Sequence, residues 1–175
     1  MSIDPSHKEH DHILKGLNSA DPEKVLQSIE HLRVSGKASD IPLLLEMLRV
    51  IKDQEIKAKV ASLLGSLKDK QTVPLMIEAI QNERYASIRQ QLVSACWENG
   101  LDYTPYLSVF VDLLIEKDFL VAFEAYTVIT NMETAIDRIL LDVEIDKLDK
   151  AMRNTTEEKR ALMIDVVDFL PSIGY

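Results

Sequence analysis

Three histidines, His7, His10 and His12, stand with two acidic residues within six positions near the start of the chain. Imidazole and carboxylate groups at this density can bind zinc or nickel, but a structural or catalytic site needs its ligands held in a fixed geometry. We expect this segment to form a fraying N-terminal turn, which does not hold its side chains in place. The sequence therefore predicts no metal site at the histidines.

The other residues able to do chemistry do not form a catalytic group. Cys96 has no histidine near it in sequence and stands at a position where equivalent segments of the chain carry apolar residues. We therefore expect a buried structural thiol with Trp97 packed beside it. The chain has no glycine-rich phosphate loop and no nucleophile elbow. We therefore expect a non-enzymatic protein without a cofactor. Four acids resemble a calcium loop but lack its glycine and its closing glutamate: Asp142, Glu144, Asp146 and Asp149.

The 175-residue chain is acidic, with 29 Asp and Glu against 20 Lys and Arg and a formal net charge of −9. This balance argues against a nucleic-acid or anionic-membrane partner, because both are bound through Lys and Arg. Residues 101–150 hold 11 acidic against 4 basic residues, which would attract a basic partner or would only aid solubility. With one cysteine, no apolar signal segment at the N-terminus and no uncharged membrane-length run, we expect a cytoplasmic protein.

A short helix start recurs as DIPLLLEML from Asp40, TVPLMIEAI from Thr72 and TPYLSVFV from Thr104. Its proline returns after 32 and then 31 residues, and proline suits the first turn of a helix, where the amide hydrogen it lacks would be unpaired. Asp137 stands one repeat further along and suits the same position. Before each start lies a segment with apolar residues on one helical face: DPEKVLQSIEHL from Asp21, DQEIKAKVASLL from Asp53, YASIRQQLVSAC from Tyr85 and DFLVAFEAYTVI from Asp118.

Helical pairs that repeat every 31 to 32 residues predict an α-solenoid, because no pair buries its apolar face alone and successive pairs must share a core. The segment DQEIKAKVASLLGSLKDKQTVPLMIEAI, residues 53–80, resembles HEAT repeats, especially the short bacterial and phycobilin-lyase-like kind. This resemblance covers about residues 21–143 and implies an architecture, not a function.

We therefore predict an all-α superhelix that forms one domain over residues 1–175. It would contain about four HEAT-like helical pairs between two helical caps. Thr155 precedes Glu158 at a capping-box spacing and opens the last helix. The N-terminal cap is 1–20, the pairs are 21–52, 53–83, 84–117 and 118–150, and the C-terminal cap is 151–175.

The second helix of each pair divides into buried columns and an exposed remainder. A column is the set of residues at equivalent positions of the four pairs. The repeat assigns three columns to the core: Ile41/Val73/Thr104/Ile136, Leu44/Met76/Leu107/Ile139 and Leu48/Ile80/Val111/Val143. The other positions would face a shared concave wall, which we propose as the partner-binding site: Leu43, Glu46, Met47, Leu75, Glu78, Tyr106, Phe110, Arg138 and Asp142.

This concave wall indicates which kind of partner the chain would bind. It carries acids and one arginine, so it would repel a phosphate backbone, unlike the basic walls of HEAT-like DNA-repair glycosylases. Iron hydroxylases on HEAT scaffolds carry repeated His-Glu pairs, and this chain has none. Apolar and aromatic anchors bordered by acids are typical of a groove for a basic amphipathic helix.

The leading hypothesis is therefore a non-catalytic scaffold that binds a protein segment on the concave wall. Two alternatives stay open for the wall. A register error of one position would bury Tyr106 and Phe110 in the core, and a terminal helix or a second copy of the chain would cover the wall. The runner-up function is a self-associating structural module, a homodimer. A chromophore-lyase-like or DNA-repair-like enzyme is less favoured, because no nucleophile or acid–base pair is identifiable.

Overall fold

The computed structural model describes residues 12–173, and this part of the chain is built from helices. Residues 12–17 form a helical segment with Ile13 and Leu17 buried; the rest of the predicted N-terminal cap, with His7 and His10, lies outside the described residues. Nine longer α-helices follow: α1 Pro22–Ser35, α2 Ile41–Val50, α3 Gln54–Leu64, α4 Thr72–Gln81, α5 Arg89–Glu98, α6 Leu107–Glu116, α7 Phe119–Thr130, α8 Arg138–Ala151 and α9 Glu157–Phe169.

Aspartates begin the first helices of three pairs, as the repeat predicts. Asp21, Asp53 and Asp118 are the N-caps of α1, α3 and α7, and each side chain accepts hydrogen bonds from backbone N–H groups of the first turn. Asp137 does the same for α8, accepting from Ile139 N at 3.0 Å. These caps satisfy amide groups that would otherwise have no partner at the helix N-terminus.

The third pair departs from this pattern. The sequence places a helix start at Tyr85, but residues Glu83–Ile88 form a 3₁₀ turn and α5 begins only at Arg89. Tyr85 stands where the other pairs carry aspartate, and its hydroxyl is too far from its own backbone to cap a helix. Asn82 supplies the acceptor instead, taking a hydrogen bond from Arg84 N at 2.9 Å. The chain therefore makes a tighter turn before the helix.

The helices pack in a regular succession. The first helices contact one another in chain order, α1 with α3, α3 with α5 and α5 with α7, and α9 follows α7. The second helices contact each other as α2 with α4 and α6 with α8, while α2/α3, α4/α5 and α6/α7 form tight hairpins. Buried side chains from Ile13 to Leu170 belong to one hydrophobic cluster. The predicted all-α fold is confirmed.

The predicted core columns hold in the first three pairs, but in the fourth pair only Ile136 is buried as predicted. Ile139 is 75% exposed and Val143 is 49% exposed, although both were assigned to the core. Helix α8 instead turns Leu141 and Leu148 inward, two residues that share a helical face. Glu144 is also buried on that face. Its Oε1 accepts hydrogen bonds from the Ser108 hydroxyl at 2.6 Å and from Lys147 Nζ at 3.2 Å, which offset the cost of burying the carboxylate.

The predicted C-terminal helix is present with a shifted cap. Thr156, not Thr155, is the N-cap of α9, accepting from Lys159 N at 3.4 Å. The apolar side of α9 lies against α7 and α6, with Met163 and Val166 buried. Among residues 12–173 no helix is both long and apolar enough to cross a membrane.

Basic side chains satisfy the carbonyl groups at the ends of the second helices. Arg89 Nε donates to Ile80 O at 2.8 Å, at the end of α4. Lys159 Nζ donates to Ile115 O at 2.6 Å and Lys117 O at 2.8 Å, at the end of α6. Arg160 Nε donates to Met152 O at 2.9 Å, just after α8. A cation at a helix C-terminus also complements the negative end of the helix dipole.

Lys159→Met should destabilise the fold by about 2–4 kcal/mol, because Met keeps the aliphatic stem but leaves two carbonyl groups at the end of α6 without their donor. Lys159 is only 9% exposed, so water reaches those carbonyls poorly. Urea unfolding followed by circular dichroism measures the loss. Lys52→Met, at an exposed lysine between α2 and α3, is the matched control and should change stability by less than about 0.5 kcal/mol. Equal losses in both variants would contradict the capping role.

Candidate protein-interaction surfaces

The residues predicted for the concave wall divide into three groups in the structure. Glu78, Arg138 and Asp142 are exposed, while Leu43, Glu46, Leu75 and Tyr106 are half-buried. Met47 and Phe110 are buried in the core, so their placement on an exposed wall is wrong. The wall is therefore less apolar and less aromatic than the sequence predicts.

Phe110 is the largest correction. Its side chain has no exposed area, and its ring meets Tyr103 edge to face, with centroids 5.8 Å apart and planes at 87°. Leu107, Phe110, Val111 and Leu114 form one apolar stripe along α6, and the stripe is wide enough to bury the phenyl ring between the layers. Of the two residues that a register error would bury, Phe110 is in the core and Tyr106 is half-buried.

Glu46 lies on the wall, but its charge is already paired. Its Oε1 accepts hydrogen bonds from Arg84 Nε at 2.7 Å and from the Tyr85 hydroxyl at 2.9 Å, and its Oε2 accepts from Arg49 Nη2 at 2.7 Å. The hydrogen bonds from Arg84, then Arg49, then Tyr85 hold the pKa of Glu46 far below its usual range. Two arginines around one carboxylate leave a local positive charge, so Glu46 does not attract a basic segment.

A shallow groove remains between α2 and α4. It has a volume of about 150 Å³. Of the predicted wall residues it includes Leu75 and Glu78, and Tyr85 borders it beside the Glu46 cluster. The complete lining is Ile41, Pro42, Leu45, Leu75, Glu78, Ala79, Asn82 and Tyr85. It is the part of the wall that still combines apolar side chains with a free acid.

A larger exposed apolar surface lies on the layer of first helices. Phe119, Leu120 and Phe123 on α7 are 44%, 57% and 46% exposed. The rings of Phe119 and Phe123 have centroids 6.2 Å apart, and those of Phe123 and Tyr126 are 6.1 Å apart. These side chains share one side of α7 and form a ladder of aromatic rings along it.

Trp97 extends this ladder onto α5. It is 40% exposed, and its indole Nε1–H donates to Glu124 Oε2 on α7 at 2.9 Å. The expectation that Trp97 is only a packing residue is therefore incomplete. We call this surface the aromatic face, defined by Trp97, Phe119, Leu120, Phe123 and Tyr126.

The sequence contains a signal for the aromatic face that periodicity alone overlooks. Helix α7 already buries Val121, Ala122, Ala125, Val128 and Ile129 on its core side. Four of its other seven positions, Phe119, Leu120, Phe123 and Tyr126, are also apolar or aromatic, where a solvent-facing helix would mostly carry charged or polar residues. A helix that is apolar on both sides, at a position that the repeat leaves exposed, indicates an interaction surface.

The three helices α5, α7 and α9 present an acidic surface. Their cations are Arg89, Lys159 and Arg160, and all three donate to backbone carbonyls at the ends of second helices. Their acids outnumber these cations by six to three: Glu98, Glu124, Glu157, Glu158, Asp165 and Asp168. The negative charge around the aromatic face is thus left without mobile basic side chains on the same helices.

A cavity of about 270 Å³ opens between the ends of α5 and α7, beside Trp97. Cys96 and Tyr103 line it, but burial raises the pKa of the Cys96 thiol to about 12 and also raises the pKa of the Tyr103 hydroxyl. A thiol is nucleophilic as thiolate, so Cys96 is unreactive at neutral pH. Within residues 12–173 no three His, Cys, Asp or Glu side chains are grouped to hold a metal ion.

Comparisons with known proteins do not supply a family. No family model matches the chain, and no curated protein matches it. Among solved structures, the crystal structure of an engineered protein is similar over 95% of this chain and 81% of that one, at 15% sequence identity and a TM-score of 0.48. A likeness of this degree identifies neither a family nor a function.

Glu46→Gln should lower stability at neutral pH and have a smaller effect in acid. The folded-state pKa of Glu46 is lowered from 4.5, so its contribution is present above about pH 4.5 and is lost as the pH falls through the folded value. The urea midpoints of wild type and variant should therefore differ most at pH 7 and differ less at pH 3. Glu78→Gln removes an exposed acid from the neighbouring helix and should show a small difference at both pH values. A Glu46→Gln effect independent of pH would contradict the account.

Phe110→Ala and Phe123→Ala form a matched pair that tests which phenylalanine is in the core. Phe110→Ala should cost about 3–5 kcal/mol, because it opens a cavity between the layers. Phe123→Ala, at an exposed position, should cost less than about 1 kcal/mol. Urea unfolding of both variants measures the difference. A larger loss for Phe123→Ala would mean that the core and surface assignments of α6 and α7 are reversed.

Proposed function

We propose that the chain is a HEAT-like α-solenoid that works as a non-catalytic scaffold for binding another protein. The regular succession of helix contacts supports the solenoid, because first helices meet first helices along the chain, as stacked repeats do. The 31- to 32-residue spacing of the helix starts and the HEAT-like segment 53–80 support it further.

The observation that carries the binding function is the aromatic face. Four of its five side chains are at least 40% exposed: Trp97, Phe119, Leu120 and Phe123. Aromatic side chains are enriched in the buried centres of protein interfaces, because each covers a large area with few rotatable bonds. Exposed together on one surface, they favour a protein-contact role over a purely structural one.

The groove between α2 and α4 is a second, weaker contact surface on the same scaffold. Leu75 and Glu78 line it, half-exposed Leu43 lies on α2, and half-exposed Tyr106 lies in the turn before α6. The ion pairs of Glu46 and the burial of Phe110 and Met47 reduce what this wall offers. We therefore propose the aromatic face as the main contact and the groove as an accessory one.

Affinity capture with matched variants tests the proposed function. Wild-type protein should retain a specific partner. The Phe119→Ser/Phe123→Ser variant should retain at least about tenfold less of it, because aromatic anchors dominate interface energetics. Leu75→Ser/Glu78→Lys, in the groove, should reduce retention less. Val34→Ser, at a 93% exposed position on α1, is the control for removing an exposed apolar side chain.

Circular dichroism must first show that each variant keeps its helices. If all four proteins retain the same set of proteins, neither surface is a binding site and the scaffold proposal fails. If light scattering shows a mass that rises with concentration in wild type and not in Phe119→Ser/Phe123→Ser, the chain is a self-associating module.

A further inference from the structure

We infer that the aromatic face, with the acidic surface around it, docks a basic amphipathic helix of a partner protein. This inference rests on the proposed function and names the partner's class. Three observations carry it: the spacing of the aromatic side chains, the charge of the helices that bear them, and the fixed state of the cations on those helices.

The spacing fits a helix lying along α7. Phe119, Phe123 and Tyr126 stand at i, i+4 and i+7, so the ladder runs for about 10 Å along the helix axis at 1.5 Å per residue. That length matches two turns of a partner helix whose anchors recur at the same spacing. Trp97 stands to one side, tied to Glu124, and widens the ladder into a surface between α5 and α7.

The charge selects a basic partner. Glu124 is half-exposed beside Trp97, and its two oxygens accept hydrogen bonds from Gln90 Nε2 and from the Trp97 indole. Helix α9, which packs against α7, adds exposed Asp165 and Asp168. Lysines and arginines on the polar side of a docked helix would meet these carboxylates, and such complementarity sets the choice of partner and the association rate.

The cations cannot rearrange to neutralise these acids at low cost. Lys159 and Arg89 are 9% and 6% exposed and bond the carbonyls at the ends of α6 and α4. Moving either one outward would leave those carbonyls without donors. The acidic character of the surface is therefore built into the packing of the layers.

The same charge disfavours a second copy of the chain as the occupant. A two-fold interface would place the aromatic face against itself, so the carboxylates around it would face their own copies. With a net charge of −9, the chain would also be repelled by an anionic membrane. A basic helical segment is the occupant that satisfies both the apolar and the acidic parts of the surface.

Trp97 is the single tryptophan of the chain, so its fluorescence reports directly on the aromatic face. The probe is a tryptophan-free peptide of about 14 residues, long enough for four helical turns, with leucines at i, i+3, i+4 and i+7 and lysines elsewhere. We expect a saturable blue shift of Trp97 emission, because docking removes the indole from water. Raising the salt concentration should weaken the binding.

Two variants that keep Trp97 locate the site. Phe119→Ser/Phe123→Ser should weaken peptide binding by at least about tenfold. Leu120→Lys should also weaken it, because it places a cation within the surface, and it serves alone if the double variant does not fold. Val34→Ser should bind as wild type does.

Control peptides decide whether shape and charge both matter. The same composition with the leucines scattered around the helix should bind at least about tenfold more weakly, and glutamate in place of lysine should abolish binding. Equal binding of the scattered peptide, or of the glutamate peptide, would overturn the inference. A Trp97 shift that follows protein concentration without any peptide would also overturn it, in favour of a second copy.

The two proposals fail separately. If the peptide does not bind but affinity capture finds a partner that depends on Phe119 and Phe123, the basic-helix inference falls and the scaffold function stands. If the peptide binds but capture is the same for all variants, the surface has the inferred specificity and the scaffold proposal loses its support.

Discussion

The fold depends on apolar side chains that successive helical pairs share. One pair of helices is too small to bury its own apolar face, and Leu44, Met76 and Leu107, one from each of three pairs, are all buried in one hydrophobic cluster that spans the pairs. The same requirement recurs every 31 or 32 residues and sets the order of helix contacts. It also fixes which side of each helix is left for other roles.

The capping of helix ends links this core to the surface charge. Aspartates satisfy the N-termini of α1, α3, α7 and α8, while Arg89, Lys159 and Arg160 reach back to carbonyls at the ends of second helices. Because these cations bond backbone carbonyls, they are not free to neutralise the acidic side chains of α5, α7 and α9. The exposed parts of α5, α7 and α9 are consequently more acidic than the composition alone indicates, and the aromatic face lies among them.

Periodicity predicts the helices, most of their starts and the core columns of the first three pairs, because burial on one face leaves a direct mark in the sequence. It fails on helices that carry apolar residues on more than one face, because the pattern does not show which face is buried. On α6 it assigns Phe110 to the wall because a column already has Val111, and on α8 it assigns Ile139 and Val143 to the core, although Leu141 and Leu148 are the leucines that are buried there. Long-range pairs leave no local signal at all: Glu46 meets Arg84 38 residues away, and Trp97 meets Glu124 27 residues away.

The central claim is that all pairs share one core, and Cys96 allows it to be tested directly. This thiol is the single cysteine of the chain, is fully buried between the third and fourth pairs, and has its pKa raised to about 12 by that burial. Its rate of reaction with a thiol reagent should be measured across a urea series beside the helical circular-dichroism signal. The account predicts that Cys96 reacts only as the whole chain unfolds, so that both signals give the same free energy. Reaction in urea that leaves the helical signal intact would contradict it.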